Sequence, residues 1–437
     1  MISKDMKVLI VGLKSSGVSA AALLEKLGAE IKIYDDDDRA KLNGKTNLLG
    51  QSMDYIFEGV DLVVLSPAIP ATHSIVKYAR QNYIKIVSEL ELGLAYLDCK
   101  KIMVTGTNGK TTVVEMINTL LSYAGYAVRT LGNIGYPVSQ VVADGMRLDY
   151  AVVEASSFQL DFSESIKADI ALLTNISPDH MDRYDTYNDY VKSKSRVFAN
   201  QTAKDIAIIN YDDITLRALG KSLPARVIGI KSEGGKSPVH IKNGYYYIKE
   251  KPLAPLKASK LKGRFNHQNL LMALNVGYVL KIGEEHMHNL IRNFKLSAHR
   301  LEYVCTLFNK NFYNDSKGTN IDACKHAIDA LEGHTGLIMG GSDKNEDFCS
   351  FFDKISDSVS IVCVTGSNAD KIYASALKMG YVNIKKFADL KDAIFFLSRI
   401  DCIDNILFSP ACASFDRYSS YIERGNKFKE LIYEIEV

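Results

Sequence analysis

The stretch that decides the fold is residues 101–112, which read Lys-Ile-Met-Val-Thr-Gly-Thr-Asn-Gly-Lys-Thr-Thr. The apolar residues before the first glycine predict a buried strand, and residues 113–124 carry apolar side chains at helical spacing. Glycines between the two let consecutive N–H groups turn inward, and a helix start adds partial positive charge. Lys110 would reach the β and γ phosphates and the Thr111 hydroxyl would bind Mg²⁺. The stretch therefore predicts a phosphate-binding loop in an α/β fold.

One position of this loop departs from the common Gly-x-x-x-x-Gly-Lys-Thr pattern. The first glycine would fall at residue 104, which is Val104. The alternative interpretation is a glycine-rich turn that precedes Gly-Lys-Thr by chance. We favour the phosphate-binding loop because a strand signal leads into it and a helix signal follows it.

Strand and helix signals alternate on both sides of the loop. Residues 7–12, 16–27 and 31–35 predict a strand, a helix and a second strand at the start of the chain. Further strands are predicted at residues 62–65, 150–153, 170–174, 206–210, 312–313, 335–340, 360–364 and 405–409. This alternation predicts mostly parallel sheets with helices on both faces. Asn243-Gly244 between two alternating runs predicts a small antiparallel hairpin.

Length and composition limit the class of protein. A chain of 437 residues predicts about three domains. The 53 Lys and Arg residues nearly balance the 51 Asp and Glu residues, so the net charge of +2 gives no bulk attraction to nucleic acid or anionic membranes. Hydrophobic residues at 47% and charged residues at 24% are typical of a soluble globular protein.

Targeting signals and cysteine usage favour a cytoplasmic protein. Apolar runs such as residues 8–13 fall far short of the roughly 20 residues that span a bilayer. The N-terminal residues carry Asp5 and show no secretory cleavage pattern. The seven cysteines form no Cys-x-x-Cys pair, so we interpret them as small buried hydrophobes in a reducing compartment. Cys412 has no nearby histidine in sequence and is interpreted as a packed thiol.

Two polar residues follow predicted strands downstream of the loop. Glu154 comes directly after residues 150–153, and His180 follows residues 170–174. Metal-holding side chains in such a sheet lie at the carboxyl ends of neighbouring strands. A carboxylate is a natural Mg²⁺ ligand, whereas histidine alone suits zinc or iron equally well. For either residue taken singly, a structural role as a strand-end cap is an equal alternative, but their joint placement favours a site.

The N-terminal Gly12-Leu-Lys-Ser-Ser-Gly17 suggests a dinucleotide site at first sight. Asp35 lies about where a ribose-binding acid is expected. Lys14 occupies the middle glycine position, and its Cβ hinders the close backbone approach that a pyrophosphate requires. The pattern is weak for NAD, but it permits a nucleotide-like ligand held in a modified way.

Six ordered blocks of this sequence resemble the Mur ligase family, the cytoplasmic ATP-dependent amino-acid ligases of peptidoglycan precursor synthesis. They are residues 105–112, 132–135, 154–160, 175–182, 299–300 and 314–320. Residues 409–416 and Arg424-Gly425-Asn426 are similar to the members that add D-glutamate. The resemblance implies a Rossmann-like UDP-substrate domain at 1–95, a central P-loop ATPase domain at 96–297 and a Rossmann-like amino-acid domain at 298–437.

The activity that the resemblance implies is the ligation of D-glutamate to UDP-N-acetylmuramoyl-L-alanine. The L-alanyl carboxylate would take the γ-phosphoryl group of ATP, and the amine of D-glutamate would attack the acyl phosphate. Two Mg²⁺ ions would assist, since phosphoryl transfer between anions needs charge neutralisation and alignment. We expect a monomer acting in cell-wall synthesis, cell shape and division, with no nucleic-acid partner and no membrane insertion.

The resemblance also implies a role for each matching residue. Implied catalytic residues are Lys110, Glu154, His180, Lys194 and Lys317. Implied ATP-binding residues are Gly106, Thr107, Asn108, Gly109, Lys110, Thr111, Thr112, Asn269, Arg300 and Asp315. Implied metal ligands are Thr111, Glu154, His180 and Lys194. Implied UDP-substrate residues are Leu13, Lys14, Ser15, Asp35, Asp36, Ser66, Pro67 and Asn133. Implied D-glutamate residues are Lys317, Thr319, Lys344, Ser414 and Tyr421.

Two further positions of the family pattern are Lys194 and Phe265. Lys194, four residues after Tyr190, matches a lysine that the family carbamylates, and a carbamate presents oxygen anions to Mg²⁺ where an ammonium would repel it. Without the resemblance Lys194 would be an ordinary solvated helix residue. Phe265 replaces the histidine of the common Gly-x-His-Asn-x-x-Asn pattern, while Asn266 and Asn269 remain.

Three alternative functions stay open at this point. A sibling ligase would use another amino acid such as L-lysine, or would extend folylpolyglutamate. An NAD-dependent oxidoreductase is disfavoured by Lys14. A P-loop GTPase is disfavoured because the sequence has no Asn-Lys-x-Asp guanine signature.

Overall fold

The structure, a computed structural model, describes residues 2–42, 44–343 and 346–435. The chain divides into two compact units. The first consists of Met1–Ile176, Thr186–Leu256 and Asn269–Ile291. The second consists of Ser177–Asp185, Lys257–Gln268 and Arg292–Val437.

A four-stranded parallel sheet opens the first unit. Its strands are β1 (Lys7–Val11), β2 (Glu30–Tyr34), β3 (Leu62–Leu65) and β4 (Lys85–Ser88), in the order β2-β1-β3-β4. Its helices are α1 (Ser15–Lys26), α2 (Met53–Phe57), α3 (Ser74–Gln81) and α4 (Glu89–Tyr96). Every residue of β3 is buried, because this inner strand has apolar cover on both faces. The predicted βαβ start is confirmed.

A six-stranded parallel sheet forms the centre of the first unit. Its strands are β5 (Lys100–Thr105), β6 (Val128–Gly132), β7 (Tyr150–Glu154), β8 (Ile170–Leu173), β9 (Ile206–Asn210) and β10 (Arg226–Ile230), in the order β10-β9-β8-β5-β7-β6. Neighbouring helices are α5 (Lys110–Tyr123), α6 (Val138–Ala143), α7 (Ser157–Leu160), α8 (Tyr187–Ser195) and α9 (Ile214–Gly220). In this order β5 lies between β7 and β8, and all three strands are parallel. The residues that follow them therefore lie at the same edge of the sheet.

Two buried carboxylates on α4 bind α6 and the segment that follows α7. Glu89 Oε1 on α4 accepts the N–H of Ser139 on α6 at 2.7 Å. Glu91 accepts the N–H groups of Glu164 at 2.6 Å and Ser165 at 3.1 Å. Gly93 lies so close to α6 that an added Cβ would stand 2.6 Å from Ser139 N. Helix α4 therefore packs closely against α6.

A small antiparallel sheet follows β10. It consists of β11 (Val239–Lys242), β12 (Tyr245–Ile248) and β13 (Lys251–Pro255). Asn243 and Gly244 both have positive φ, at 51° and 76°, as the tight hairpin requires. The predicted hairpin is confirmed. The short turn Leu256–Ala258 leads on to α10 (Arg264–Val279) and then to α11 (Glu284–Asn293).

The second unit contains a six-stranded sheet with one antiparallel edge. Its strands are β14 (Glu302–Leu307), β15 (Lys310–Asn314), β16 (Thr335–Met339), β17 (Val359–Val364), β18 (Ile384–Lys386) and β19 (Asn405–Phe408), in the order β14-β15-β19-β16-β17-β18. Only β14 runs antiparallel to its neighbour. Its helices are α12 (Ile321–Asp329), α13 (Phe348–Phe352), α14 (Ala369–Lys378), α15 (Leu390–Ser398) and α16 (Tyr421–Glu434). The mixed α/β class with parallel sheets is confirmed.

The described helices and the cysteines bear on two further expectations. No helix in the described ranges is long and apolar enough to cross a membrane. All seven cysteines are free thiols. Cys412 is 1% exposed and burial raises its thiol pKa to about 12, so its interpretation as a packed thiol is confirmed.

Candidate active site

The predicted phosphate-binding loop connects β5 to α5. Gly106 has φ 148°, and an added Cβ would stand 1.9 Å from the Thr174 hydroxyl oxygen. Gly109 has φ 82° and directly precedes Lys110, the first residue of α5. Both positions therefore require glycine, one for close packing and one for its left-handed backbone. The loop and helix were predicted correctly.

Two residues at the end of β8 hold this loop in place. The N–H of Asn108 donates to Asn175 Oδ1 at 2.9 Å, and Asn175 Nδ2 donates back to Asn108 O at 2.8 Å. The Thr174 hydroxyl also donates to Asn108 O, at 2.6 Å. No pattern in the sequence indicates this role of Thr174, because threonine and asparagine at a strand end fit many local structures.

Lys110 and Lys194 meet at one carbonyl of the loop. Lys110 Nζ donates to Gly106 O and Thr107 O, each at 2.8 Å, and Lys194 Nζ donates to Gly106 O at 2.8 Å. Lys194 is only 2% exposed and lies 4.6 Å from the centre of the Tyr190 ring. The Tyr190 hydroxyl in turn lies 3.1 Å from Thr107 Oγ1. Lys194 is therefore a buried residue beside the loop, and the interpretation as a solvated lysine is wrong.

Glu154 ends β7, the strand next to β5. Its side chain is 1% exposed, and Oε1 accepts a hydrogen bond from Asn133 Nδ2 at 2.8 Å. Within the part of the chain that the structure describes, Oε2 is buried without a hydrogen-bond partner. A buried carboxylate oxygen that lacks a donor is costly, and a cation would offset that cost. Hard oxygen ligands are those that Mg²⁺ prefers, so Glu154 and the hydroxyl of the buried Thr111 fit this ion.

His180 belongs to the second unit, whereas Glu154 belongs to the first. His180 has φ 57°, and its N–H donates to Asp179 Oδ1 at 3.0 Å. Asp179 Oδ2 lies 3.4 Å from Asn320 Nδ2, within the same unit. No group of three or more His, Cys, Asp or Glu side chains stands together among the described residues. The joint metal role of Glu154 and His180 remains a prediction.

The predicted nucleotide-binding residues outside the loop are mostly buried. Asn269, in the first unit, is 2% exposed, and its Nδ2 is without a partner among the described residues. In the second unit, Arg300 Nε is also buried and has no hydrogen-bond partner among the described residues. Asp315 accepts hydrogen bonds from the Ser409 hydroxyl at 2.7 Å and the Leu301 N–H at 3.0 Å. Burial raises the pKa of Asp315 to about 6.

Phe265 packs where the family pattern has a histidine. Its ring stacks on His326, with centroids 4.2 Å apart and planes 12° apart, inside the second unit. Burial lowers the pKa of His326, which favours the neutral ring in this stack. An apolar stacking contact therefore stands at this position.

Four of the five predicted D-glutamate residues can be located in the second unit. Lys317 Nζ lies 5.0 Å from the centre of the Tyr421 ring, so these two are brought together. Thr319 is on the same loop after β15, and Ser414 is buried in the loop after β19. Lys344 lies outside the described residues.

Arg424 joins the two loops that carry these residues. Its guanidinium donates from Nε to Ser316 Oγ at 3.1 Å, from Nη2 to Ser316 O at 2.7 Å and from Nη1 to Ala413 O at 2.9 Å. It is 2% exposed, and burial lowers its pKa to about 10, which leaves it charged at neutral pH. The family resemblance includes Arg424 in a matching block, but it does not imply that this side chain holds the two loops together.

The N-terminal glycine turn is fastened from two sides. The N–H of Leu13 donates to Asp35 Oδ2, and the Ser66 hydroxyl donates to Gly12 O at 2.7 Å. Asp35 Oδ1 accepts the N–H of Asp37 at 2.9 Å. Lys14 and Ser15 are exposed on this turn, and Pro67 is half-buried. Leu13, Asp35 and Ser66 are thus brought together, and the oxygens of Asp35 bind the backbone of the protein itself.

Comparison with known proteins places these features in a family. Residues 104–277 match the Mur ligase middle domain, and residues 299–412 match the Mur ligase glutamate ligase domain. A protein of Caldanaerobacter subterraneus named UDP-N-acetylmuramoylalanine--D-glutamate ligase is 33% identical, over 99% of each chain. A protein of the same name from Alkaliphilus metalliredigens is 34% identical, over 98% of each chain.

Solved structures share the fold at low sequence identity. The MurF ligase of Thermotoga maritima, in complex with ADP, has a TM-score of 0.63 at 16% identity and covers 99% of this chain and 96% of its own. A folylpolyglutamate synthase of Mycobacterium tuberculosis, complexed with ADP and AMPPCP, has a TM-score of 0.58 at 16% identity. It covers 78% of this chain and 92% of its own. At these identities the likeness concerns the fold.

Proposed function

Since this chain belongs to the Mur ligase family, we propose that it is an ATP-dependent ligase that joins D-glutamate to UDP-N-acetylmuramoyl-L-alanine in peptidoglycan precursor synthesis. The observation that carries the proposal is the phosphate-binding loop with a buried, half-satisfied carboxylate, Glu154, on the adjacent strand. Full-length relatives with that name support the choice of substrates.

The first chemical step is phosphoryl transfer between two anions. An oxygen of the L-alanyl carboxylate attacks the γ-phosphorus of ATP, the bond to the β–γ bridging oxygen breaks, and ADP leaves. Little covalent help is needed, so the protein contributes alignment and positive charge. Lys110 supplies an ammonium from the loop, and the start of α5, with its partial positive charge, would face the phosphates.

The second step forms the amide. The amine of D-glutamate attacks the acyl phosphate carbon, loses a proton, and the carbon–oxygen bond to phosphate breaks as inorganic phosphate leaves. Lys317, Thr319, Lys344, Ser414 and Tyr421 are proposed to bind D-glutamate. Lysine ammonium groups match the two carboxylates of this substrate.

Thr111, Glu154, His180 and a carbamylated Lys194 are the residues that we propose to hold two Mg²⁺ ions. Bound Mg²⁺ would neutralise charge on the phosphates and the acceptor carboxylate. The unpartnered Glu154 oxygen supports the first of these positions. The buried Lys194 beside Gly106 supports the idea that its side chain acts at the loop.

The three-domain assignment is also a proposal. It assigns binding of the UDP substrate to residues 1–95, of ATP to residues 96–297 and of the amino acid to residues 298–437. The separate sheets of β1–β4, β5–β10 and β14–β19 support it. Asn269, Arg300 and Asp315 are proposed on the adenosine side of ATP.

The direct test is ADP release by the purified protein with UDP-N-acetylmuramoyl-L-alanine, with D-glutamate present or omitted. The proposal predicts sustained release only with both substrates and a product whose mass includes one glutamyl residue. A panel of other amino acids and folate acceptors separates the sibling ligases. Sustained ADP release with L-lysine or a folate, but not D-glutamate, would replace this assignment.

Lys194 has a test of its own. Lys194→Ala should abolish ligation, and a short carboxylic acid added to the reaction should restore part of it, because the acid supplies the missing oxygen anion. Lys192→Ala, on an exposed neighbour of the same helix, is the control. Full activity of Lys194→Ala would reject the carbamate role.

A further inference from the structure

An exposed carboxylate at the end of the first sheet is held by two less exposed donors. The Tyr34 hydroxyl donates to Asp36 Oδ1 at 3.1 Å. His73 Nε2 lies 3.3 Å from both oxygens of Asp36. The Asp36 side chain is 62% exposed, whereas that of His73 is 14% exposed. The carboxylate thus faces solvent while its back is fixed to the protein.

The hydrogen bonds of His73 define which of its nitrogens carries a proton. Its Nδ1 accepts the N–H of Ile75 at 3.2 Å and so caps the start of α3. An acceptor at Nδ1 has a free lone pair, so the proton of the neutral ring is on Nε2, which points at Asp36. The ring also meets Tyr34 edge-on, with centroids 5.8 Å apart. His73 is therefore a donor in a fixed orientation.

Asp35 and Asp36 differ in what their oxygens do. The Asp35 carboxylate accepts the N–H groups of Leu13 and Asp37, and thereby shapes the glycine turn. The Asp36 carboxylate is bound by the Tyr34 and His73 side chains, and most of it is exposed to solvent. Of the two neighbouring acids, Asp36 is the one free to meet a ligand at this edge of the sheet.

We infer that His73 is a positioning residue for the nucleoside part of the UDP substrate, acting through Asp36. Tyr34 and His73 hold the carboxylate so that its exposed lone pairs accept hydrogen bonds from N–H or hydroxyl donors of uridine. This inference rests on the proposed function for the identity of the ligand. A carboxylate ordered before binding loses less side-chain entropy when the nucleoside arrives.

The test is His73→Asn, which separates the two roles of this histidine. Asparagine is a good helix N-cap, so the capping of α3 is retained, but its side chain is too short to hold Asp36. We expect the Kd for UDP, measured by calorimetry, and the KM for the UDP substrate to rise about three- to tenfold, the loss of one modest hydrogen bond. The kcat and the KM values for ATP and D-glutamate should stay the same.

Two further variants make the result specific. Tyr34→Phe removes the other donor and should raise the Kd for UDP in the same way, and the double variant should show coupling between the two changes. The same histidine-to-asparagine change at the exposed His334 of the second unit should leave the Kd unchanged.

Each outcome decides between the inference and its alternatives. If His73→Asn binds UDP as tightly as the parent protein, or if all three KM values rise together with a fall in melting temperature, His73 has only a structural role and the inference is overturned. If the parent protein ligates D-glutamate normally in that experiment, the proposed function survives. A parent protein that neither binds UDP nor ligates would instead overturn the proposed function.

Discussion

Buried polar groups act in opposite ways in two regions of the molecule. One is the phosphate-binding loop of the first unit, and the other is the pair of loops after β15 and β19 that Arg424 joins in the second unit. At the phosphate-binding loop, one Glu154 oxygen is buried without a donor among the residues that the structure describes, and two lysine ammonium groups donate to one backbone carbonyl. In the second region, the Arg424 guanidinium donates three hydrogen bonds to other groups of the protein. The difference indicates that the charged groups at the phosphate-binding loop interact directly with bound ions. In the second region, Arg424 holds the two loops in place and thereby positions the side chains that they carry.

The largest expected effect is on catalysis at the first region. Glu154→Gln keeps the shape and the bond from Asn133 but removes the negative charge, so we expect kcat to fall about 10²- to 10³-fold. The melting temperature should change little, because a neutral amide is easier to bury than a carboxylate. Glu164→Gln, on an exposed residue, is the matched control. A kcat of Glu154→Gln within twofold of the parent value would contradict a direct role of the Glu154 charge in catalysis.

The next effect concerns stability in the second region. Arg424→Met removes three buried hydrogen bonds and leaves the Ser316 carbonyl without its arginine donor, while Ala413 O keeps only the Ser342 N–H. We expect a loss of about 3 kcal/mol in the free energy of unfolding. Thermal and denaturant unfolding measure it. Arg417→Met, which removes one bond from an exposed arginine, should cost less than about 1 kcal/mol. Equal losses for the two variants would show that Arg424 does not hold a frame.

Much of the first region could be predicted from the sequence, and less of the second. Gly106, Gly109 and Lys110 have contiguous spacing that only a few loop geometries satisfy, and Glu154 follows directly from a strand end. The roles of Thr174 and Arg424 depend on residues distant in sequence, and a single chain gives no signal for such pairs. Asp35 and Asp36 are adjacent and chemically identical, so only the surrounding donors distinguish them.

The smallest expected effect is a pH dependence at Asp315. Burial raises its pKa in the folded chain from 3.8 to about 6, so the folded state holds this proton more tightly than the unfolded state. Its contribution to stability is therefore complete below about pH 4 and is lost as pH rises through about 6. Asparagine has no such proton, so Asp315→Asn should gain melting temperature relative to the parent protein between pH 4 and 7. A difference that stays flat over this range would exclude the raised pKa.

The central claim is that the phosphate-binding loop directs the γ-phosphoryl group of ATP onto the carboxylate of the UDP substrate. Substrate labelled with ¹⁸O in the L-alanyl carboxylate tests it, with mass analysis of the phosphate released during ligation to D-glutamate. The account predicts one ¹⁸O atom in each phosphate, because the oxygen that attacks phosphorus leaves with it. Phosphate without the label would contradict it.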